Sequence, residues 1–189
     1  MLTSARGLVL RPIEVDDVGF VAALRNDLAI ERLAGSGPPI PRLRSEFEQN
    51  LADERVRRAC SDGSPSSIEL ICEVEGTAAG IGGVYGIDHT ARHAELGVSL
   101  ADGPWRGRGF GELAHRMLLS YAFEDLNLRR MHASVHADNT AVLALCEKLG
   151  FRIEGVRVDF RWVAGAYVDL VVFGMGRPDF AAAGGWDRR

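Results

Sequence analysis

The nine residues Trp105–Leu113 read WRGRGFGEL, and they stand between a strand-like run, AELGVSL (Ala94 to Leu100), and a helical pattern from about Gly111 to Leu126. Three glycines and two arginines are therefore set at the mouth of a helix. A helix start leaves about four backbone N–H groups without intrahelical partners and carries roughly half a positive charge. Glycine lets an anion approach those amides, because no Cβ stands in the way. Arg106 and Arg108 add longer-range attraction. The segment fits an anion cradle, most naturally for phosphate or pyrophosphate. It equally fits a tight strand-to-helix turn with solvated arginines.

The familiar phosphate loops do not match. A Walker loop needs Lys and Ser or Thr after its glycines, and Gly111 is followed by Glu112 and Leu113. The dinucleotide fingerprint GxGxxG fails because Gly107, Gly109 and Gly111 are evenly spaced. The preceding strand also belongs to an antiparallel group rather than a βαβ unit.

Around the loop the pattern alternates between strands and helices. LVLRPI (Leu8 to Ile13) reads as a strand, with Asp16 as N-cap of a helix carrying Val18, Val21, Ala22 and Leu24. GSGPPIP (Gly35 to Pro41) interrupts it, and a second amphipathic helix spans about Leu43 to Cys60. After the loop SDGSPSS come a hairpin, IELICEVE and AAGIGGVYGI, and the strand AELGVSL. Gly82 and Gly83 imply a bulge or a close backbone approach. Beyond the glycine loop and its helix lie a strand (RMHASVH), a helix from Asn139 to its stop at Gly150, and two closing strands around AGA. This is an α/β arrangement, with an antiparallel group and two helical crossovers. Residues 1–178 read as one domain, and 179–189 as a loose tail.

Composition narrows the class. The chain has 189 residues, 47% hydrophobic and 25% charged, so it can bury a substantial core. A net charge of -4 argues against bulk nucleic-acid binding. Cys60, Cys72 and Cys146 are odd in number and show no metal spacing, so neither a disulfide framework nor a metal site is expected. A reducing, cytoplasmic setting fits, with no signal segment and no apolar run of membrane-spanning length.

The six residues Arg106-Gly-Arg-Gly109-Phe-Gly111 match R-x-x-G-x-G, and resemble the acetyl-CoA pyrophosphate loop of the GNAT superfamily of N-acetyltransferases. NTAVLALCEKLGF (Asn139 to Phe151) is similar to that family's N-x(10)-G-F segment, and EGVRVDFRWVAGAYVDLVVFGM to its closing hairpin. LVLRPIEVDDVGFVAALRND resembles the opening of the ribosomal-protein acetyltransferase, RimJ/RimL-like, branch. The resemblance runs from about residue 8 to 176. It implies a mixed, mostly antiparallel sheet of seven strands, splayed between strands 4 and 5 and flanked by about four helices. It implies acetyl-CoA as co-substrate, with the pantetheine arm bonding backbone near Val98, Ser99 and Leu100. The pyrophosphate would lie on the amides of Arg106, Gly107, Arg108, Gly109, Phe110 and Gly111. Asn139 would bind pantetheine or simply cap its helix. A homodimer is compatible with the branch; nucleic acid and membrane partners are not expected.

Acetyl transfer requires a neutral amine, a stabilised thioester oxygen and a route for the departing thiolate. The resemblance implies direct attack by the amine, with a backbone N–H near Val98 facing the oxyanion. Glu95 is the candidate base, lying on the fourth strand in an otherwise apolar run; its other reading is a surface partner of Arg92 or His93. His93 is the runner-up base. His132, Ser134 and His136 share one face of the fifth strand. The family's usual acids, a tyrosine seven residues after the asparagine or a serine three after it, are replaced by Cys146 and Val142. Near neutral pH about a tenth of an α-amine is neutral, against far less than about a thousandth of a lysine. The expected acceptor is therefore a protein N-terminus or a small amine. An amino-sugar or antibiotic acyltransferase using another acyl-CoA, and a silent acyl-CoA-binding module, remain open.

Overall fold

The computed structural model describes residues 2–3, 6–34, 39–60 and 65–185, with the side chains of 3, 34 and 54–60 excepted. Seven strands form one sheet: β1 (Leu8–Pro12), β2 (Ile68–Val74), β3 (Thr77–Asp88), β4 (His93–Leu100), β5 (Arg130–His136), β6 (Arg152–Val163) and β7 (Ala166–Gly176). Their order is β1-β2-β3-β4-β5-β7-β6, with Leu2–Thr3 adding a two-residue strand along the β1 edge. Every neighbouring pair is antiparallel except β4 with β5. This is the mixed, mostly antiparallel sheet of seven strands that the resemblance implies.

Among the described residues six α-helices flank the sheet: α1 (Val18–Arg25), α2 (Leu28–Ala34), α3 (Arg44–Cys60), α4 (Phe110–Ser120), α5 (Thr140–Leu149) and α6 (Arg177–Ala182). Strand alternation divides the apolar side chains between two faces. On one face Cys72, Ala94, Leu96, Met131 and Phe173 meet α4 residues such as Leu113, Met117 and Leu118. On the other, Ile71 and Ile81 meet Val21 and Leu24 of α1 and Ile30 of α2. Each fully buried residue of this size is worth roughly 1.5–3 kcal/mol.

Two helices were not separated in the sequence pattern. The α2 helix begins immediately after Asp27, whose Oδ1 accepts from the amides of Ala29 and Ile30 at 2.9 and 3.2 Å. The C-terminal α6 lies where a loose tail is expected. Asp179 accepts from the Gly176 amide at 3.0 Å, and Phe180 is buried with its ring 5.6 Å from Phe123. Residues 186–189 of the expected tail lie outside the described residues. The α4 helix continues into a π-helical turn over Tyr121–Asp125.

The glycines of β3 mark close approaches. A Cβ on Gly83 would stand 2.7 Å from the Ile68 carbonyl and from the Tyr85 ring. At the far edge, Ala164 and Gly165 both adopt positive φ, the twist that a two-residue hairpin turn needs. Cross-strand partners share a face of a sheet. Glu95 pairs with Tyr85 on β3 and with His132 on β5, so these three side chains emerge together.

Candidate active site

The parallel β4–β5 ladder is short. Its rungs are His93 with Arg130, Ala94 with Met131, and Glu95 with His132. Beyond Glu95, β4 continues to pair with β3, and β5 with β7. Among the described residues no further rung joins β4 to β5, so a wedge opens along Leu96–Leu100. Its apex is the Glu95–His132 rung.

The glycine loop closes the wide end. Gly107 and Gly109 have φ of 73° and 82°, and Gly109 is the N-cap of α4. A side chain there is strained by about 1–2 kcal/mol. The first amide to bond back is that of Leu113, to the Gly109 carbonyl at 3.1 Å. The amides of Phe110, Gly111 and Glu112 therefore have no intrahelical acceptor.

The two loop arginines differ in their engagement. Arg106 donates to the Leu100 carbonyl at 3.1 Å and pairs with Asp102 at 2.7 Å, tying the loop to the end of β4. Arg108 pairs with Glu75 at 3.1 Å and lies 5.1 Å from the Phe110 ring centroid. A third cation joins it, which sequence reasoning missed. Arg6 donates to the Arg108 carbonyl at 2.7 Å and lies 5.8 Å from the same ring. Its guanidinium is 3.5 Å from where a Cβ on Gly109 would stand. Nothing local in the sequence signals this contact across about a hundred residues of chain.

The wedge opens into a cleft of about 1060 Å³, whose lining takes in Leu96, Gly97, Val98 and Ser99 but neither Leu100 nor any of Arg106–Gly111. Val98, Ser99 and Asn139 line it, together with Glu95, His132, Ser134 and His136. The face shared by the three β5 side chains is thus a wall of the cleft. His136 is buried, with Nδ1 3.1 Å from the Arg32 carbonyl of α2. Burial pushes the His132 imidazole below its ordinary value, against the opposing pull of the Glu95 carboxylate. His93 and His132 meet edge to face with centroids 5.6 Å apart. Arg92 donates to the Asn127 carbonyl at 2.9 Å and 2.7 Å, so its guanidinium is occupied away from Glu95.

Asn139 caps α5 by accepting from the Val142 amide at 3.3 Å, and its Nδ2 donates to the Leu33 carbonyl at 3.4 Å. Cys146, at the expected acid position, is buried on the cleft wall, and burial pushes its thiol up to about 12. On the opposite wall, Glu69 accepts from Tyr85 Oη at 2.9 Å and pairs with Arg25 of α1. Burial, then the Glu69 charge, raises the Tyr85 phenol far above its ordinary value, so it remains a donor. This triad joins residues up to sixty positions apart, beyond the reach of local sequence patterns.

Residues 7–152 match the model of the acetyltransferase (GNAT) domain family. The spermidine N(1)-acetyltransferase of Escherichia coli K12 is 26% identical over 90% of this chain and 86% of its own length. The putative ribosomal N-acetyltransferase YdaF of Bacillus subtilis is 33% identical over 58% of this chain and 60% of its own. Among solved structures, spermidine N-acetyltransferase from Vibrio cholerae, in complex with CoA and spermine, superposes with a TM-score of 0.82 at 23% identity, covering 93% of this chain and 98% of that one. The ribosomal L7/L12 α-N-protein acetyltransferase RimL, in complex with CoA, gives 0.79 at 17% identity, covering 93% and 97%. The chain belongs to the GNAT acetyltransferase family, and is an N-acetyltransferase of that class.

Proposed function

We propose that this protein transfers the acetyl group of acetyl-CoA to the α-amine of a peptide, by direct attack in a ternary complex. The observation that carries this reading is the Glu95–His132 rung at the apex of a wedge whose wide end meets the N-terminus of α4. Pantetheine would lie along the free edge of β4, bonding backbone at Val98, Ser99 and Leu100. The pyrophosphate would rest on the amides from Arg106 to Gly111, with Asn139 beside the pantetheine arm. The thioester carbonyl would then face the Val98 amide, a donor aimed at the developing oxyanion. Glu95 takes the ammonium proton, leaving a lone pair to attack.

Cys146 supports direct transfer. A thiol raised to about 12 is protonated near neutral pH and is a poor nucleophile for a covalent acyl-enzyme. It is also a poor acid toward a departing thiolate, since its proton is held more tightly than that of an ordinary cysteine thiol, about 8.5. Water takes that role, and Cys146 fills apolar space.

Charge in the cleft favours a peptide over a polyamine. Its lining carries the guanidinium groups of Arg25, Arg42, Arg157 and Arg161 beside the carboxylates Glu14, Glu31, Glu69 and Glu95. Glu69 is already paired with Arg25. A polycation would meet as much repulsion as attraction. The spermidine-acetylating relatives keep the polyamine as the second reading.

The test is release of free thiol from acetyl-CoA with short peptides, spermidine, amino sugars and aminoglycosides as acceptors. Turnover of peptides with free N-termini, lost when those termini are blocked, is expected. Turnover of spermidine alone would establish the second reading, and no turnover with CoA still bound would point to a silent binding module.

A further inference from the structure

Arg157 and Arg161 stand on β6, the edge strand, and line the same cleft as Glu95. Both guanidinium groups lie on the ring of Phe160, at 4.9 and 5.1 Å from its centroid. That contact orients them without neutralising them. Among the described residues neither forms an ion pair, whereas Arg25 on the opposite wall pairs with Glu69. Arg161 Nε is buried and has no hydrogen-bond partner among the described residues. A buried guanidinium donor left unmatched is costly unless a ligand supplies the acceptor. Paired donors of this kind suit a carboxylate.

The sheet register sets how far that carboxylate would stand from the reacting amine. Glu95 pairs with His132; four residues along the same strand, His136 pairs with Leu170, which in turn pairs with Arg157. Cross-strand partners and every second residue share a face, so Glu95 and Arg157 emerge on the same side. The offset between them is about 13 Å along the strands and about 14 Å across three strand spacings. With both side chains extended toward each other, on the order of 10 Å remains, about three residues of extended peptide. A free α-amino acid, with amine and carboxylate on one carbon, cannot span it.

Resting on the peptide reading above, we propose that Arg157 and Arg161 form a subsite for an acidic side chain at the third or fourth residue of the acceptor peptide. The amine is held at Glu95 and the acid at β6, so the enzyme selects N-termini by a charge set back from the reacting end.

The experiment compares thiol release with hexapeptides of common sequence, carrying Asp or Asn at position 2, 3 or 4, beside free aspartate and spermidine. The expected result is kcat/KM higher by about tenfold for Asp over Asn at position 3 or 4, as a charge-assisted pair provides, and little difference at position 2. In the double variant Arg157→Gln/Arg161→Gln, the Asp-to-Asn ratio should fall to about one. A ratio does not depend on the fraction of folded enzyme, so a destabilised variant still answers. Equal rates for Asp and Asn peptides, or a preference surviving the double variant, overturns the subsite while leaving the peptide reading intact. A double variant that weakens CoA binding while keeping the preference assigns the arginines to the cofactor and overturns it too. Turnover of spermidine with no peptide turned over removes both readings together.

Discussion

Glu95 and His132 form the last parallel rung between β4 and β5, and their side chains enter the cleft from adjacent strands at the point where the sheet divides. A carboxylate at that apex lies beside the edge of β4, along which a thioester would be presented. The imidazole next to it is held toward its neutral form by burial. The carboxyl group and the imidazole thus stand within one strand spacing of each other.

The amide cradle is tested at Gly109. Its φ of 82° is tolerated by Asn better than by other side chains, so Gly109→Asn should retain the fold. Its side chain would intrude on the anion path. Hydrogen bonds to charged groups are worth about 1.5–3 kcal/mol, so loss of one predicts CoA binding about 10- to 100-fold weaker by calorimetry. Unchanged affinity in a variant with a wild-type melting curve would remove the cradle.

Charge at the loop should respond to salt. CoA affinity is expected to fall as ionic strength rises, since exposed charges are screened. Arg6→Gln with Arg108→Gln should flatten that slope, because these two guanidinium groups share the Phe110 ring beside the α4 N-terminus. Arg106→Gln should instead lower thermal stability, because Arg106 ties Leu100 to the loop. A salt slope untouched by the double change would place the phosphates elsewhere.

Acid should loosen the α1 wall of the cleft. Asp17 is held below the usual carboxylate range, chiefly by its hydrogen bonds from Arg11, at 2.7 and 2.8 Å. A depressed folded value means this stabilisation is complete above the unfolded value of about 3.9 and is lost as pH falls through the folded value. Asp17→Asn should lower the melting temperature near neutral pH, and the gap to wild type should close below about pH 4. A gap that persists at low pH would show that the pair contributes through packing rather than charge.

The C-terminal helix is an integral part of the core. Phe180→Ala should destabilise the protein by about 3–5 kcal/mol, the range for a buried aromatic. A Phe180→Ala variant as stable as wild type would return α6 to the status of a loose tail.

The same helix shows where the sequence could be read and where it could not. Strand alternation and the glycine punctuation located all seven strands, because those signals are local. Asp27 ahead of α2, and Pro178 with Asp179 at the start of α6, are equally local start signals, overlooked because the following helices are short. The π-helical turn after Ser120 has no composition signal. In the candidate site, the glycine loop is legible as a local motif, whereas Glu95 and Asn139 are expectations that the family resemblance implies. Arg6 over Phe110, and the Arg25–Glu69–Tyr85 triad, exist only because distant segments meet. The alignment of the β6 arginines with the cleft follows from a register that no local pattern specifies.

The most direct test of the account is the pH–rate profile of Glu95→Gln with a peptide acceptor. Glutamine keeps the shape of glutamate but cannot accept a proton. A positioned base contributes about 10²–10⁴-fold, so kcat should fall by that order near neutral pH with CoA affinity nearly unchanged. The loss should shrink as pH rises past about 8, where an α-amine arrives already neutral. A variant that retains wild-type kcat at every pH, and changes only KM for the amine, would contradict the account: Glu95 would then be a binding residue, and the proton would leave by another group.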